Sequence, residues 1–398
     1  MKSKWATRPL GELVRFSSGG TPSKKRADYW KGNIPWISAK TLKNERITTS
    51  DIFISEDGLN AGSRIAPRGS ILLLTRGSGL FNDIPIGLVE REVAFNQDIK
   101  CLDSCSEVEN KYIFYWLISL KKYLMAKVGV TGIGAGKFDL DFLQKLEVPI
   151  PNKQERTQII AFIDALSDKI ELNRRINDNL QQQARAATMR WLIDNNHDYE
   201  MLSLLQVAEI NPDTYSPKEK WEYINYLDTS SITDGLISEI QYINPTNEKL
   251  PSRARRKIAA NDVVFSTVRP NQRHFGIISS PNSNMLASTG FAVVRSKHQK
   301  ICSELIYLCL TENEFIEKMQ QLAEQSASTF PSIKPSDLGA CNIPYSNSDT
   351  YMNLAGLLKS IFAFIAANQS EITSLAQLRD TLLPRFMSGE IDVSAIQL

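Results

Sequence analysis

From about Gln154 to Asp194 the chain carries no proline or glycine, and its apolar positions follow one rule. Ile159, Ile163, Leu166, Ile170, Asn173, Asn177, Leu180, Ala184, Ala187 and Trp191 are spaced alternately four and three apart. That alternation puts all ten on one stripe of an α-helix and predicts a coiled-coil seam several heptads long. Leu354, Leu358, Ile361, Ile365, Asn368, Ile372 and Leu375 repeat the spacing near the end of the chain, until Pro384 is expected to end or kink the helix. At ~1.5 Å per residue, some forty helical residues make a rod of roughly 60 Å.

The stretches before each rod have a different texture. Short β-rich runs such as SILLLT (70–75) and DVVFST (262–267) lie between Gly, Pro and Asn turns, which predicts strands. A helical stretch follows in each case, around 111–128 and 303–325, and then a proline-containing strand end. The two halves also align in detail. RIAPRGSILLLTR (64–76) matches KIAANDVVFSTVR (257–269) without a gap, pairing Ile65 with Ile258, Ile71 with Val264 and Arg76 with Arg269. IPWIS (34–38) faces INYLD (224–228), ERI (45–47) faces GLI (235–237), and LEVPIPN (146–152) faces CNIPYSN (341–347), so that Pro149 pairs with Pro344. The matches are collinear at offsets of 190 to 195 residues, and the chain is read as a tandem duplication.

The predicted fold is therefore mixed α/β (α+β): two globules, each followed by a long helix. The globules span 1–152 and 196–349, and the helical segments 153–195 and 350–398, the last with a C-terminal tail. A seam needs a partner, and a duplicated chain supplies one internally as an antiparallel pair. Asn173 and Asn368 occupy equivalent positions near the middle of the two helices. A polar residue in an apolar seam lowers stability but fixes register, which makes these two the candidate register pair. The alternative is that both are solvated asparagines on slightly curved helices.

Bulk composition adds exclusions. At 398 residues, 42% hydrophobic and 23% charged, the chain is a globular protein of more than one domain. It has no uninterrupted apolar run of about 18 residues, so neither a spanning helix nor a membrane partner is expected. MKSKWATRPLGELVRF at the N-terminus lacks the apolar core of a signal peptide, and a cytoplasmic location is expected. The five cysteines form no CxxC pair and are read as free thiols in a reducing compartment. The net charge of +2 does not point to nucleic acid; a DNA binder with this balance must gather its basic residues on one face.

The architecture resembles the specificity subunit of type I restriction–modification systems, over essentially the whole chain. GVTGIGAGKFDLDFLQKLEVPIP (129–151) resembles the family's glycine-containing loop. VPIPNKQERTQIIAFIDALSDKIELNRRI (148–176) resembles its proline strand end, Gln-containing helix start and long helix, and LRDTLLPRFMSGEI (378–391) its C-terminal run. YSNSDTYMNLA (345–355) departs from the pattern, lacking the expected Gln near the helix start. The resemblance implies that the globules are target recognition domains and that the chain is a non-catalytic, sequence-specific DNA-recognition subunit. It implies a bipartite, asymmetric double-stranded DNA target, because two different domains on a rod read two different half-sites. Implied partners are two methyltransferase (modification) subunits docked on the long helices and nuclease-translocase (restriction) subunits. No cofactor is expected on this chain itself; S-adenosylmethionine belongs to the partner methyltransferase.

Candidate DNA contacts follow from basic and amide side chains in loops. In the first half they are Lys24, Lys25 and Arg26 in the turn SSGGTPSKKRADYW (17–30), then Arg64, Arg76, Ser78 and Lys137. In the second half RARRK supplies Arg253, Arg255, Arg256 and Lys257, and a second group holds Arg269, Asn271, Gln272, Arg273 and His274. Arg reads guanine bidentately and Gln reads adenine, which singles out Arg269, Gln272 and Arg273 as base readers. Lys24, Lys25, Arg255, Arg256 and Lys257 read as phosphate clamps. Any one of these residues alone could equally be a solvated surface charge, so the clusters carry the reading.

The enzymatic alternative is a DNA methyltransferase or nuclease with unrecognised motifs. Asn342-Ile343-Pro344-Tyr345 approximates an adenine-methyltransferase motif, yet its counterpart in the repeat is Glu147-Val148-Pro149-Ile150. GVTGIGAGKF (129–138) fails the phosphate-loop pattern at Thr131 and Phe138. Asp103, Glu109 and Lys111 imitate a nuclease triad but have no counterpart in the second half. His197, His274 and His298 accompany no Ser–His–Asp motif. A coiled-coil adaptor without DNA affinity is a third reading, at odds with the basic loops.

Overall fold

The computed structural model describes residues 5–132, 134–195, 198–297, 300–326 and 330–392. His197 and His298 lie outside the described residues. The chain forms two compact units, Met1–Ile170 with Thr373–Leu398, and Glu171–Ile372. Each unit thus contains a globule and a length of both long helices.

In the first unit a five-stranded sheet runs in the order Val14–Ser18, Ile99–Ser104, Ile71–Leu74, Ile86–Val89, Arg46–Ile47. Ile71–Leu74 is buried along its whole length between antiparallel neighbours, with Ile71 opposite Leu102 on one side and Leu88 on the other. A strand covered on both faces reads as an unbroken apolar run, which is why SILLLT shows no alternation. A four-stranded sheet is ordered Phe53–Ile54, Ile34–Ile37, Val93–Phe95, Ile65–Ala66, with Ile34–Ile37 parallel to Val93–Phe95.

The second unit repeats the plan. One sheet is ordered Ala208–Ile210, Phe291–Ser296, Asp262–Ser266, Phe275–Ile278, and Asp262–Ser266 is again wholly buried. The other is ordered Gln241–Ile243, Ile224–Leu227, Met285–Ser288, Ala254–Lys257, with Ile224–Leu227 parallel to Met285–Ser288. Both units close with a two-stranded ribbon: Ala6–Pro9 on Glu147–Ile150, and Glu200–Ser203 on Asn342–Tyr345. Pro149 and Pro344 sit at the same register, opposite Thr7 and Met201. A ribbon tolerates a residue without an N–H donor, because the outer edge of the strand needs no partner.

The first long helix spans Lys153–Asp194. Asn152 caps it: its side-chain oxygen accepts from the Glu155 amide at 2.9 Å, while the Glu155 carboxylate accepts from the Asn152 amide at 3.1 Å. The second spans Asp349–Met387 and continues through Pro384, stopping before Gly389, whose φ of 71° suits a glycine at a helix end. Every residue of both predicted seams is buried or half-buried. In the first unit, Ile159, Ile163, Leu383, Phe386 and Met387 join the sheet core, and the Phe162 and Phe386 rings meet edge to face at 5.3 Å. In the second, Ala184, Trp191, Leu354, Leu358 and Ile361 do the same, and the contacts between the helices run antiparallel.

The second long helix is long and apolar enough to cross a membrane by length and composition, although it holds no unbroken apolar run of about 18 residues. Tyr351, Leu354, Leu358 and Ile361 of that helix are instead buried in the core of the second unit.

Ion pairs fasten the first globule to its helical part. Asp164 accepts from the Tyr115 hydroxyl at 2.5 Å and the Lys111 ammonium at 2.8 Å, and Arg46 reaches Asp168 at 2.5 Å. Arg156, 4% exposed, donates to Glu109 at 2.7 Å and to the carbonyls of Pro151 and Glu107.

Candidate nucleic-acid interface

The turn holding Lys24, Lys25 and Arg26 begins where two glycines press against neighbouring backbone. A Cβ on Gly19 would lie 2.0 Å from the Phe95 carbonyl oxygen, and one on Gly20 1.9 Å from that of Gly62. Only glycine fits there, so the segment that follows leaves the sheet along a fixed path. Lys24 and Lys25 are exposed and make no ion pair among the described residues. Arg26 differs: it binds Asp28 through two bonds of 3.0 and 2.7 Å and lies over the Tyr29 ring. The hydrogen bond from Arg26 holds the Asp28 carboxyl below its ordinary value. Arg26 is thus a neutralised cation, Lys24 and Lys25 free ones.

Arg76 and Lys137 are 61 residues apart in sequence yet directly opposite in an antiparallel pairing of Arg76–Gly77 with Gly136–Lys137. Both are exposed, and neither has an ion pair among the described residues. Ser78 follows at once, also exposed, and Arg64 is exposed elsewhere on the same unit. Like charges facing each other across strands repel, so this pair is a local concentration of positive charge that an anion would relieve.

In the second unit the strand Ala254–Lys257 is the edge of its sheet, and a bulge falls between Ala254 and Arg256. A bulge re-aims the side chains around it. Arg253 is exposed, Arg255 donates to the Ser252 carbonyl at 3.3 Å, and Lys257 is tied to Glu219 at 2.6 Å. The Lys257 hydrogen bond holds the Glu219 carboxyl below its ordinary value. Arg256 is half-buried, its Nε is buried without a hydrogen-bond partner among the described residues, and burial lowers its pKa from the ordinary arginine value. Arg295, which is also half-buried, is held by Asp262 and Asp213.

The second basic group follows the strand Asp262–Ser266. Arg269 is exposed and stacks over Phe330 at 5.2 Å. Asn271 and Gln272 are exposed in a short 3-10 turn, Pro270–Gln272. Arg273 is turned inward, bonded to Asp234 at 2.6 Å and Asn313 at 3.1 Å. His274 donates through Nδ1 to the Ile232 carbonyl at 2.7 Å, since a carbonyl can only accept. Arg269 and Arg273 both hold positive φ, 48° and 59°, a conformation that costs a non-glycine residue on the order of 1–2 kcal/mol.

On the helices, Asn173 and Asn177 are 1% and 3% exposed, and both have partners on the second long helix. Asn173 donates to Glu371 at 2.7 Å, while Asn368 donates to Asn177 at 2.9 Å. The partner of Asn368 is therefore Asn177, one turn along from Asn173. Asn177 shares the seam spacing, and only the offset between the helices, absent from the sequence, distinguishes the two.

The residues of the imitation nuclease triad are spent separately: Asp103 accepts from Asn110, Glu109 pairs with Arg156, and Lys111 with Asp164. Among the described residues no group of three or more His, Cys, Asp or Glu side chains could hold a metal ion. Asn342–Tyr345 is one strand of a two-stranded ribbon, in the position that Glu147–Ile150 holds in the first unit.

Residues 2–182 match a family described as the type I restriction modification DNA specificity domain. Over 163 residues the chain is 30% identical to the EcoR124I/EcoR124II specificity subunit of Escherichia coli, a match covering 40% of each protein. Over 428 aligned positions it is 23% identical to the MjaIX specificity subunit of Methanocaldococcus jannaschii, covering 98% of this chain and 94% of the relative. The fold is shared with the S subunit of a type I restriction–modification system from M. genitalium, at a TM-score of 0.54, 16% identity and 96% coverage of both chains.

Proposed function

We propose, from the premise that this chain belongs among the specificity subunits of type I restriction–modification systems, that it selects the DNA sequence on which partner subunits act and does no chemistry itself. The observation that carries the reading is the duplication. Two globules share the order of four strands in each of their two main sheets, and each continues into a long helix, but their exposed loops carry different side chains. Two such domains read two different half-sites, so the target is bipartite and asymmetric, with unspecified bases between its halves.

Within this reading the globules 1–152 and 196–349 are the target recognition domains. Contacts divide by the state of each charge. Lys24, Lys25, Arg76, Lys137, Arg253, Arg255 and Arg256 have no carboxylate partner among the described residues and suit backbone phosphates. Arg26, Lys257 and Arg273 are already neutralised by Asp28, Glu219 and Asp234 and are weaker candidates. Arg64, Ser78, Arg269, Asn271, Gln272 and His274 complete the surface.

The long helices are the docking surface for two methyltransferase subunits, and nuclease-translocase subunits complete the restriction complex. S-adenosylmethionine is bound by the methyltransferase, not by this chain. The reading is tested by titrating purified complex with and without this chain against DNA carrying the genome's methylated motif. Dependence of sequence preference on this chain is expected; equal preference without it would refute the role.

A further inference from the structure

After the strand Asp262–Ser266 the chain makes an unusual turn. Arg269 at φ 48°, the 3-10 turn Pro270–Gln272 and Arg273 at φ 59° lead straight into the strand Phe275–Ile278. A third non-glycine residue with positive φ, Asp234 at 47°, packs against it from the turn between Ile232–Thr233 and Leu236–Ile237. Asp234 and Arg273 are locked twice. The Arg273 guanidinium donates to the Asp234 carboxylate at 2.6 Å, and the Asp234 amide donates to the Arg273 carbonyl at 2.9 Å. Nη1 of Arg273 also reaches Asn313 at 3.1 Å.

The rest of the turn is held from the other side. The Asn271 amide donates to the Gln320 side chain at 3.3 Å, and the Arg269 amide donates to the Pro331 carbonyl at 2.9 Å. What is left over is the tip. The carboxamides of Asn271 and Gln272 are exposed and have no hydrogen-bond partner among the described residues. Strained backbone persists only where its surroundings over-determine it, and such places cluster at functional sites. A carboxamide presents a donor and an acceptor side by side, matching adenine N6 and N7 in the major groove.

From this arrangement we propose that residues 269–273 form a preshaped adenine-reading head: Asn271 and Gln272 meet the base, and Arg273 is a positioning residue that does not touch DNA. The inference rests on the DNA-recognition reading above. It changes the role of Arg273 from base reader, as its residue type suggests, to brace.

The test uses the complex with its methyltransferase partner. Once wild-type methylation has defined the motif, affinity is measured for that duplex and for duplexes altered at each A·T pair, at two salt concentrations. Gln272→Ala, or Asn271→Ala, should lose on the order of tenfold discrimination at one A·T pair. Arg273→Ala should lose it at the same pair, and combining the two changes should lose no more. The salt slope of Arg273→Ala should stay at the wild-type value, whereas a phosphate-contacting residue would lower it by about 1. Arg273→Lys, which can keep the Asp234 pair, should restore part of the discrimination. Asp234→Asn, similar in shape, should reproduce the loss and serves if Arg273→Ala does not fold. Additive losses at a different base pair, a lowered slope, or full discrimination in Arg273→Ala would overturn the proposal. A wild-type complex without a split motif would instead refute the DNA-recognition reading, before any variant is made.

Discussion

The Asn368 carboxamide donates to Asn177 across the two long helices at 2.9 Å, at a seam position where Asn177 is 3% exposed. Asn177 in turn donates to the Ile365 carbonyl at 3.4 Å, and Asn173, one turn earlier, donates to Glu371. A sliding of one helix against the other would strand these buried amides, whereas the apolar neighbours could re-pair. We propose that this polar layer sets the register of the helix pair, at some expense of stability.

Asn368→Ala leaves the Asn177 oxygen buried without its donor and should cost about 1–3 kcal/mol in urea unfolding. Replacing both asparagines with leucine removes the unmet demand and should cost less than the single change. A single substitution that costs nothing would show that the layer does not set register.

The pair Glu109–Arg156 gives a pH dependence of known sign. Burial pushes the Glu109 carboxyl up, but the hydrogen bond and charge of Arg156 outweigh it and hold it below the ordinary value of 4.5. A carboxyl lowered by folding stabilises the native state above its unfolded value, and that stabilisation is lost as pH falls through the folded value. Stability should thus decline below about pH 4.5, and Glu109→Gln should flatten that acid limb in a series of thermal melts. Arg156→Ala, which breaks a pair whose cation is buried, should cost about 3 kcal/mol. An unchanged acid limb in Glu109→Gln would contradict the assignment.

Arg76 and Lys137 oppose each other across strands, so their effects on folding and binding should have opposite signs. Lys137→Gln relieves the repulsion and should raise stability by a few tenths of a kcal/mol. The same change should weaken DNA binding and lower its salt slope by about 1. Binding at wild-type strength would remove Lys137 from the interface.

Arg256→Ala tests the guanidinium at the bulged edge strand, whose buried Nε has no hydrogen-bond partner among the described residues. It should weaken binding to matched and mismatched DNA about equally, in contrast to Gln272→Ala, which acts at one position. Loss confined to matched DNA would make Arg256 a base reader instead.

The architecture was legible because each of its signals is local. The four-and-three spacing around Ile159 and Leu358, the matched runs at Ile71 and Val264, and the paired Pro149 and Pro344 need no tertiary knowledge. The candidate site was legible only as a set of basic and amide residues. Arg26 beside Asp28 could be discounted from sequence, but Glu219 and Asp234 lie 38 and 39 residues from the Lys257 and Arg273 they neutralise. The facing of Arg76 and Lys137 depends on strand register, and the pairing of Asn368 with Asn177 on helix offset. Neither is set by composition or period.

Sequence selection by this chain is tested most directly by mapping adenine methylation across a genome in cells co-expressing it with its methyltransferase partner. Methylation is expected at one split, asymmetric motif that vanishes when this chain is omitted and changes in one half only when one globule is exchanged. The same motif methylated without the chain would show that this chain does not select the sequence.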